Sequence, residues 1–384
     1  MKPQRSRALI VGAGIAGMAT AIRLRQIGWD PVIVERSPER RTGGYFIGLY
    51  PEGREAAQRL GVYDDLHTRT PQRMRTWEID SEGNRSRGFG LLERPGEPDA
   101  VLRGDIEQAL WDHLGDIPIR FGTVPTAVDE GPESVAVALR DDAAGTERIE
   151  HFDLLVGADG MRSTVRGLVF GPHERFMKPL SRMICAFQLR EQVPYVPPHD
   201  GLVLAETGRS LWVFPLEDRA PTALFTYQAK DIDAQFTRPA KEVLRGVYGD
   251  IRHSEAVAHV LRELDDADEL LFDSVNLVEM PAWHTGRTVL VGDAAWCLTL
   301  YSGMGASAGL CGGLALGDAI ERQPGNLPAA LAVWEEGMRP LVRKNQFAVK
   351  FKRHIFAPGN DLIAHLRRRL MHHGGRQASR QQTR

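Results

Sequence analysis

With 384 residues the chain is long enough to bury a large core, either in two lobes or in one α/β body carrying an inserted layer. Its 42% hydrophobic and 26% charged residues exclude a disordered chain, and a net charge of −2 excludes a general nucleic-acid-binding surface. Three cysteines, Cys185, Cys297 and Cys311, form no C-x-x-C pair; they offer no metal-site spacing and suit a reducing cytoplasm.

Lys2, Arg5 and Arg7 ahead of an apolar run imitate a secretory signal. The run carries a glycine fingerprint and continues into a charged helix, so a cytoplasmic chain is expected. Ala8 to Val11 reads as a buried strand ending in Gly-Ala-Gly-Ile-Ala-Gly, Ile15 to Gln26 as a helix stopped by Gly28, and Pro31 to Val34 as a second buried strand. Two such strands joined through a helix make a parallel βαβ unit, so the chain opens in Rossmann-like fashion. After Arg36, Thr42-Gly-Gly-Tyr-Phe-Ile-Gly-Leu leads to Pro51, a favourable first-turn residue for a helix through Leu60. A helix is expected from Gly104 to Leu114, with strands at Ser134 to Leu139 and Leu154 to Val156, and Ser163 is placed to cap a short helix.

From about Ser181 to Gln228 strand-like runs alternate with Pro, Gly and Asp, the pattern of an inserted antiparallel layer. Helices are read near Ala240 to Tyr248 and Glu255 to Leu264. A strand at Thr288 to Val291 returns the chain to the nucleotide domain, and a helical region around Ala329 to Val349, interrupted near Pro340, closes it. Gly303 to Ile320 is apolar, but six glycines and Asp318 point to close packing rather than membrane insertion. From Arg343 onward Asp361 is the only acid; this basic segment reads as a solvated helix with a frayed tail from about Gly374, or as a partner or membrane-surface contact.

Three motifs carry chemistry. Gly12, Gly14 and Gly17 fit the dinucleotide fingerprint: the first makes the turn, the second admits a pyrophosphate and the third lets helix and strand approach. Glu35 follows Gly17 by 18 positions, close to the spacing for an acid that binds ribose hydroxyls. This motif alone does not separate FAD from NAD. The second is Asp153-Leu-Leu-Val-Gly-Ala-Asp-Gly-Met-Arg-Ser-Thr-Val-Arg, a strand, an Asp-Gly turn and a capped helix. The third is Val291-Gly-Asp-Ala-Ala with Gly303-Met-Gly and a helix of small residues, where an Asp at a strand end can accept from a polyol and the helix start favours negative charge.

In order and spacing these motifs resemble the single-component flavoprotein monooxygenases, the para-hydroxybenzoate hydroxylase family; by length the chain is similar to its tetracycline-modifying and polyketide-hydroxylating members. The resemblance runs from about Arg7 to Val349. It implies that Gly12, Gly14, Ala16, Gly17, Glu35 and Arg36 hold the ADP half of FAD, that Arg103 and Asp293 lie along the ribityl chain, and that Asp159, Gly160 and Arg162 serve FAD and the nicotinamide cofactor. Gly303, Met304 and Gly305 belong to the helix start facing the flavin. The implied fold class is α/β: a Rossmann-like FAD-binding domain (1–75, 98–175, 268–325), an inserted antiparallel-sheet substrate domain (76–97, 176–267), a long C-terminal helical region (326–373) and a disordered tail (374–384). Trp296 and Leu300 depart from the family's His and Pro. Trp296 reads as a residue packed on the cofactor or as a core residue, while Leu300 falls in the loop that lines the flavin in relatives.

The resemblance also implies NADPH or NADH as co-substrate and oxygen transfer from O₂ through a C4a-hydroperoxyflavin to an apolar, aromatic or polyketide-like small molecule. The cofactor supplies the electrophile, so no protein nucleophile or metal is needed, and no general base is assigned. The inserted sheet is expected to roof the pocket. By period two Trp212 and Phe214 share a face, as do Phe225 and Tyr227, with Gln188 on a neighbouring strand and Tyr45, Phe46 and Leu300 on other segments. Two other readings stay open: a flavin oxidase or dehydrogenase of a similar substrate, and a redox-inactive nucleotide-binding protein. Neither a nucleic-acid partner nor stable membrane insertion is expected, and the assembly is a monomer or homodimer.

Overall fold

A computed structural model describes residues 5–40, 43–80, 82–88, 90–93, 98–251, 254–367 and 369–370. Thr42 and the tail expected from Gly374 lie outside the described residues. The chain opens with β1 (Arg7–Val11), α1 (Ile15–Gln26) and β2 (Asp30–Val34), with β1 and β2 parallel and Leu9 opposite Val32. Next come β3 (Phe46–Leu49), α2 (Pro51–Leu60), β4 (Thr76–Ile79), β5 (Arg85–Arg87), β6 (Asp99–Leu102), α3 (Arg103–Asp112) and β7 (Ile119–Arg120). An antiparallel layer, β8 (Thr123–Glu130), β9 (Val135–Asp141) and β10 (Thr146–Phe152), precedes β11 (Leu154–Gly157), which returns to pair with β1. Ser163 then caps α4 (Thr164–Val169), its Oγ accepting from Arg166 N at 3.0 Å.

The second half contains β12 (Met177–Gln188), β13 (Gly201–Glu206), β14 (Arg209–Phe214), β15 (Thr222–Gln228), α5 (Ala240–Tyr248), α6 (Glu255–Asp266) and β16 (Leu271–Val278). It closes with β17 (His284–Thr285), β18 (Thr288–Leu290), α7 (Asp293–Trp296), α8 (Thr299–Ser302), α9 (Gly305–Arg322) and α10 (Leu327–Phe356). The nucleotide sheet has the order β17-β18-β11-β1-β2-β7 and is parallel except for β17 at its edge. Its strands read as unbroken apolar runs because both faces are covered, and Ala8, Leu9, Ile10, Leu154 and Val156 have no exposed surface. The roof sheet, β16-β12-β15-β14-β13-β4-β5, is antiparallel except where β13 meets β4. It takes its edge strand from Leu271–Val278, beyond the boundary at 267 read from the sequence.

The roof strands β12, β14 and β15 divide their residues between two cores. Met183, Cys185, Leu211, Val213, Phe225 and Tyr227 pack against α5 and α6. Ile184, Ala186, Trp212, Phe214 and Leu224 face β3, β6 and the end of α10. The glycines of α9 bring it onto α1: a Cβ on Gly313 would lie 2.7 Å from Thr20 N, and one on Gly317 would lie 2.3 Å from the Arg23 side chain. Arg23 and Arg59 pair with Asp318, so the apolar stretch is an internal helix with an ionic flank. No helix among the described residues is long and apolar enough to cross a membrane.

The break expected at Pro340 does not occur; α10 runs unbroken over 30 residues. Pro340 lies on its exposed face, where the carbonyl left without an N–H partner is free to meet water.

Candidate cofactor and substrate cleft

One end of the cleft, about 310 Å³, is bordered by the turn after β1. Gly12 has φ +107, and a Cβ there would sit 2.5 Å from Ala158 O; one on Gly17 would sit 2.0 Å from Gly12 O. A Cβ on Gly14 would meet nothing within 4 Å. The three glycines thus divide into a turn, an open approach and a helix–strand contact, which is what a pyrophosphate laid on the start of α1 requires. Glu35 accepts from Ala13 N at 2.9 Å and Ser37 N at 2.8 Å, fixing the glycine turn to the end of β2 while its oxygens keep lone pairs for ribose hydroxyls. Arg36 borders this end and is exposed.

Asp159 lies opposite. Its Oδ2 accepts from Thr164 N at 2.6 Å and Val165 N at 3.1 Å, and its Oδ1 is buried without a partner among the described residues. Burial pushes this carboxyl above the usual carboxylate range. Gly160 has φ +80, which makes the turn after it. The fully buried Arg166 donates to Met161 O at 2.6 Å and Ala294 O at 2.8 Å, tying this turn to α7. Arg162 makes a two-pronged pair with Asp273 of β16, at 2.9 and 2.6 Å, which links the nucleotide side to the roof sheet.

The cleft continues into a chamber of about 370 Å³ bordered by Gly14, Ala16, Arg103, Gly160 and Asp293. Gly292 has φ +67, allowing the strand to turn sharply into α7 so that Asp293 stands at the chamber floor. Asp293 is enclosed by protein yet keeps surface open to the chamber; its depth raises the carboxyl pKa, with Arg103 opposing. The Cys297 thiol beside it is pushed well above its usual value by burial, which makes it a poor nucleophile. Gly303 (φ +72) and Gly305 border the chamber where α9 begins, so its backbone N–H groups face the cavity. Met304 is turned into the core, 5% exposed, and does not border the chamber.

On the substrate side, Tyr45, Phe46, Phe214 and Leu300 border the chamber. Trp212 stands one layer back, stacked on Phe214 (6.1 Å) and tilted against Phe356 (4.8 Å). The expectation for Trp212 is thus corrected, and so are three more. Phe225 and Tyr227 point to the α5–α6 side, because Trp212 pairs with Leu224 and the even positions of β15 therefore share the chamber face. Gln188 is turned from the chamber: its Nε2 donates to the carbonyls of Ala220 and Pro221. The chamber wall instead includes Ile184, Thr222, Leu224, Asn276 and Phe356, which the sequence reading missed. The parity of β14 held the signal for Leu224, but only once its register with β15 is known.

Trp296 is a core residue. It is 1% exposed, with Trp283 at 4.7 Å and Trp334 at 5.9 Å between ring centres. Just after it Thr299, the first residue of α8, has φ +58, a left-handed conformation for a β-branched residue.

Comparison with known proteins agrees with this geometry. A family model described as FAD binding domain matches residues 5–321. A flavin-dependent monooxygenase from an unknown prokaryotic organism is 27% identical over 351 residues, spanning 88% of this chain and 86% of its own. An FAD-dependent monooxygenase, asL4, of Sarocladium schorii is 27% identical over 383 residues, spanning 90% and 86%. The crystal structure of tetracycline destructase Tet(51) superimposes with a TM-score of 0.78 at 25% identity, over 98% of each chain. The glycine turn, the two strand-end aspartates and the roofed chamber are thus those of an FAD-dependent oxidoreductase, and the chain belongs to the FAD binding domain family of flavin-dependent monooxygenases.

Proposed function

We propose that this monooxygenase takes its electrons from NADPH or NADH and hydroxylates an apolar, aromatic or polyketide-like small molecule in the roofed chamber. The observation that carries the reading is the continuity of the cleft: Gly14, Arg103 and Gly160 border both the nucleotide end and the chamber, and the chamber's far wall is apolar. When bound, the flavin supplies the redox chemistry, taking up a hydride and passing one oxygen atom of O₂ to an electron-rich carbon. The chain's own residues bind, orient and exclude water. Glu35 and the glycine turn hold the nucleotide half, and Arg103 and Asp293 provide the polar contacts midway. The N–H groups at the start of α9 stabilise negative charge on the reduced ring. Ile184, Phe214, Leu224 and Phe356 keep water from the reacting carbon, and the side chains of the roof orient the substrate against it.

The test is incubation of FAD-loaded protein with NADPH or NADH, ¹⁸O₂ and a panel of polycyclic phenols, read by product mass. One labelled oxygen per product is expected. Products two hydrogens lighter and free of label establish instead an oxidase or dehydrogenase, the reading favoured by the departure at Leu300.

A further inference from the structure

The chamber holds a buried polar group that the proposed reaction leaves unused. Asn276, on β16, borders the chamber and is 6% exposed. Its Nδ2 donates to Ser274 Oγ at 2.9 Å and approaches Ser274 O at 3.4 Å, so the amide hydrogens are committed to its own strand and the identity of the other branch is fixed as oxygen. No hydrogen bond from a described group reaches Asn276 Oδ1, and this oxygen is not among the sealed polar atoms that lack a partner. Its lone pairs therefore open on the chamber.

The cations bordering the chamber are paired, and the Thr222 hydroxyl is satisfied within the wall. Arg103 holds Glu107 at 2.5 Å, and Arg162, on the bordering turn, holds Asp273. Thr222 Oγ1 donates to Gln188 Oε1 at 3.3 Å and accepts from Phe46 N at 3.3 Å. Among the described residues the chamber wall thus presents no unpaired cation to a carboxylate or phosphate. A ligand that fills the chamber strips this acceptor of water: one that supplies a hydroxyl hydrogen keeps it paired, whereas an anion faces its lone pairs with negative charge and a methyl ether leaves it unmet.

We propose that Asn276 is the specificity-determining anchor of the substrate, and that the substrate is an uncharged, largely apolar molecule presenting a hydroxyl hydrogen, of a neutral phenol or enol, to Asn276 Oδ1. The assignment rests on the chamber being the substrate site. It is tested by binding alone, separately from turnover: FAD-loaded enzyme is titrated with 2-naphthol, 2-methoxynaphthalene and 6-hydroxy-2-naphthoate, read by the perturbation of the flavin absorption spectrum.

The wild type is expected to bind 2-naphthol about 10-fold or more tightly than its methyl ether, and the naphthoate more weakly than 2-naphthol. In N276A the preference for naphthol over the ether falls to within about 2-fold with FAD still bound. N276D, which keeps an acceptor at this position, retains the preference and guards against a misfolded alanine variant. An undiminished preference in N276A, a lost preference in N276D, tightest binding of the naphthoate, or no binding of 2-naphthol each overturns the assignment. Loss of NADPH-dependent reduction or of ¹⁸O incorporation with this binding pattern intact counts against the proposed reaction and not against the anchor. Release of FAD from both variants makes Asn276 a cofactor contact and also overturns it.

Discussion

Gly17→Ala and Gly14→Ala are three positions apart on one turn, yet they are expected to fail in different ways. A methyl at Gly17 would lie 2.0 Å from Gly12 O, where real Cβ atoms essentially never come under 3.0 Å, so α1 must retreat from the turn by about 1 Å. It has little room to do so, because α9 presses on it at Gly313, where even a methyl would be 2.7 Å from Thr20 N. Overpacking of this kind costs about 2–3 kcal/mol, a drop of roughly 30- to 150-fold in the folded-to-unfolded ratio, and it is present without cofactor. At Gly14 the backbone has φ −82 and a Cβ meets nothing within 4 Å, so alanine leaves the apoprotein intact or raises its stability by about 0.5 kcal/mol through the unfolded chain. The same methyl fills the space a pyrophosphate needs, and FAD affinity falls about 10-fold or more. Urea melts of both apoproteins and FAD titrations followed by flavin fluorescence separate the two effects. A G17A apoprotein as stable as the wild type, or a G14A protein that binds FAD with wild-type affinity, refutes the division of roles.

Further outcomes follow from single groups. Trp296→Ala, which empties a site between Trp283 and Trp334, is expected to cost about 3–5 kcal/mol in urea melts while the absorption spectrum of bound flavin stays unchanged. Asp293, whose pKa is raised in the folded state, lowers apoprotein stability above its folded pKa, and this penalty disappears as pH falls toward the unfolded value of about 3.9. Asp293→Asn therefore removes that acid-side gain: its melting temperature at neutral pH rises relative to wild-type apoprotein while FAD affinity falls, and a lower melting temperature contradicts the sign. Glu150 is shifted the other way, mainly by its hydrogen bond to Arg120. Its contribution is fully present above about 4.3, the unfolded value, and is lost as pH falls through the lower folded value, so melts of Glu150→Gln at pH 6 and pH 3.5 should differ less than those of the wild type.

The cofactor end of the cleft was legible in sequence because its constraints are local. The roles of Gly12, Gly14 and Gly17 follow from a few ångströms of backbone, and β1, α1 and β2 lie almost where periodicity placed them. Asp159 and Asp293 lie two and three residues beyond strands β11 and β18, each next to a glycine, and the end of an apolar run at glycine is visible in sequence. The roof was not legible in the same way. Alternation groups Phe225 with Tyr227, but whether that group faces the chamber depends on the pairing of β15 with β14 across residues 215–221, and one residue of slip would exchange the faces. Pro340 was misjudged for a related reason: the cost of a missing N–H depends on whether the freed carbonyl meets water, which sequence does not state. Asn276 was missed because a lone Asn in a strand has no pattern, and its meaning arises only from Ser274 taking its amide hydrogens.

Leu300 stands where the family it resembles has proline, and the segment around it is held by contacts rather than by a ring. Proline fixes a loop by its own ring, with φ near −65°. Here Thr299 adopts φ +58 instead, at a cost of about 1–3 kcal/mol for a β-branched residue unless the surroundings enforce it. They do so from two sides. Tyr301 N donates to Thr299 Oγ1 at 3.1 Å and Ser302 Oγ donates to Thr299 O at 3.0 Å, closing the turn on itself. Lys352 of α10 then donates to Ser302 O at 2.8 Å, and Tyr301 OH shares a 2.5 Å hydrogen bond with Thr226 Oγ1 of the roof. A loop pinned to both the long helix and the roof sheet keeps its position only while those two elements keep theirs. The wall at Leu300 is therefore coupled to α10 and β15, where a proline would have set its course locally.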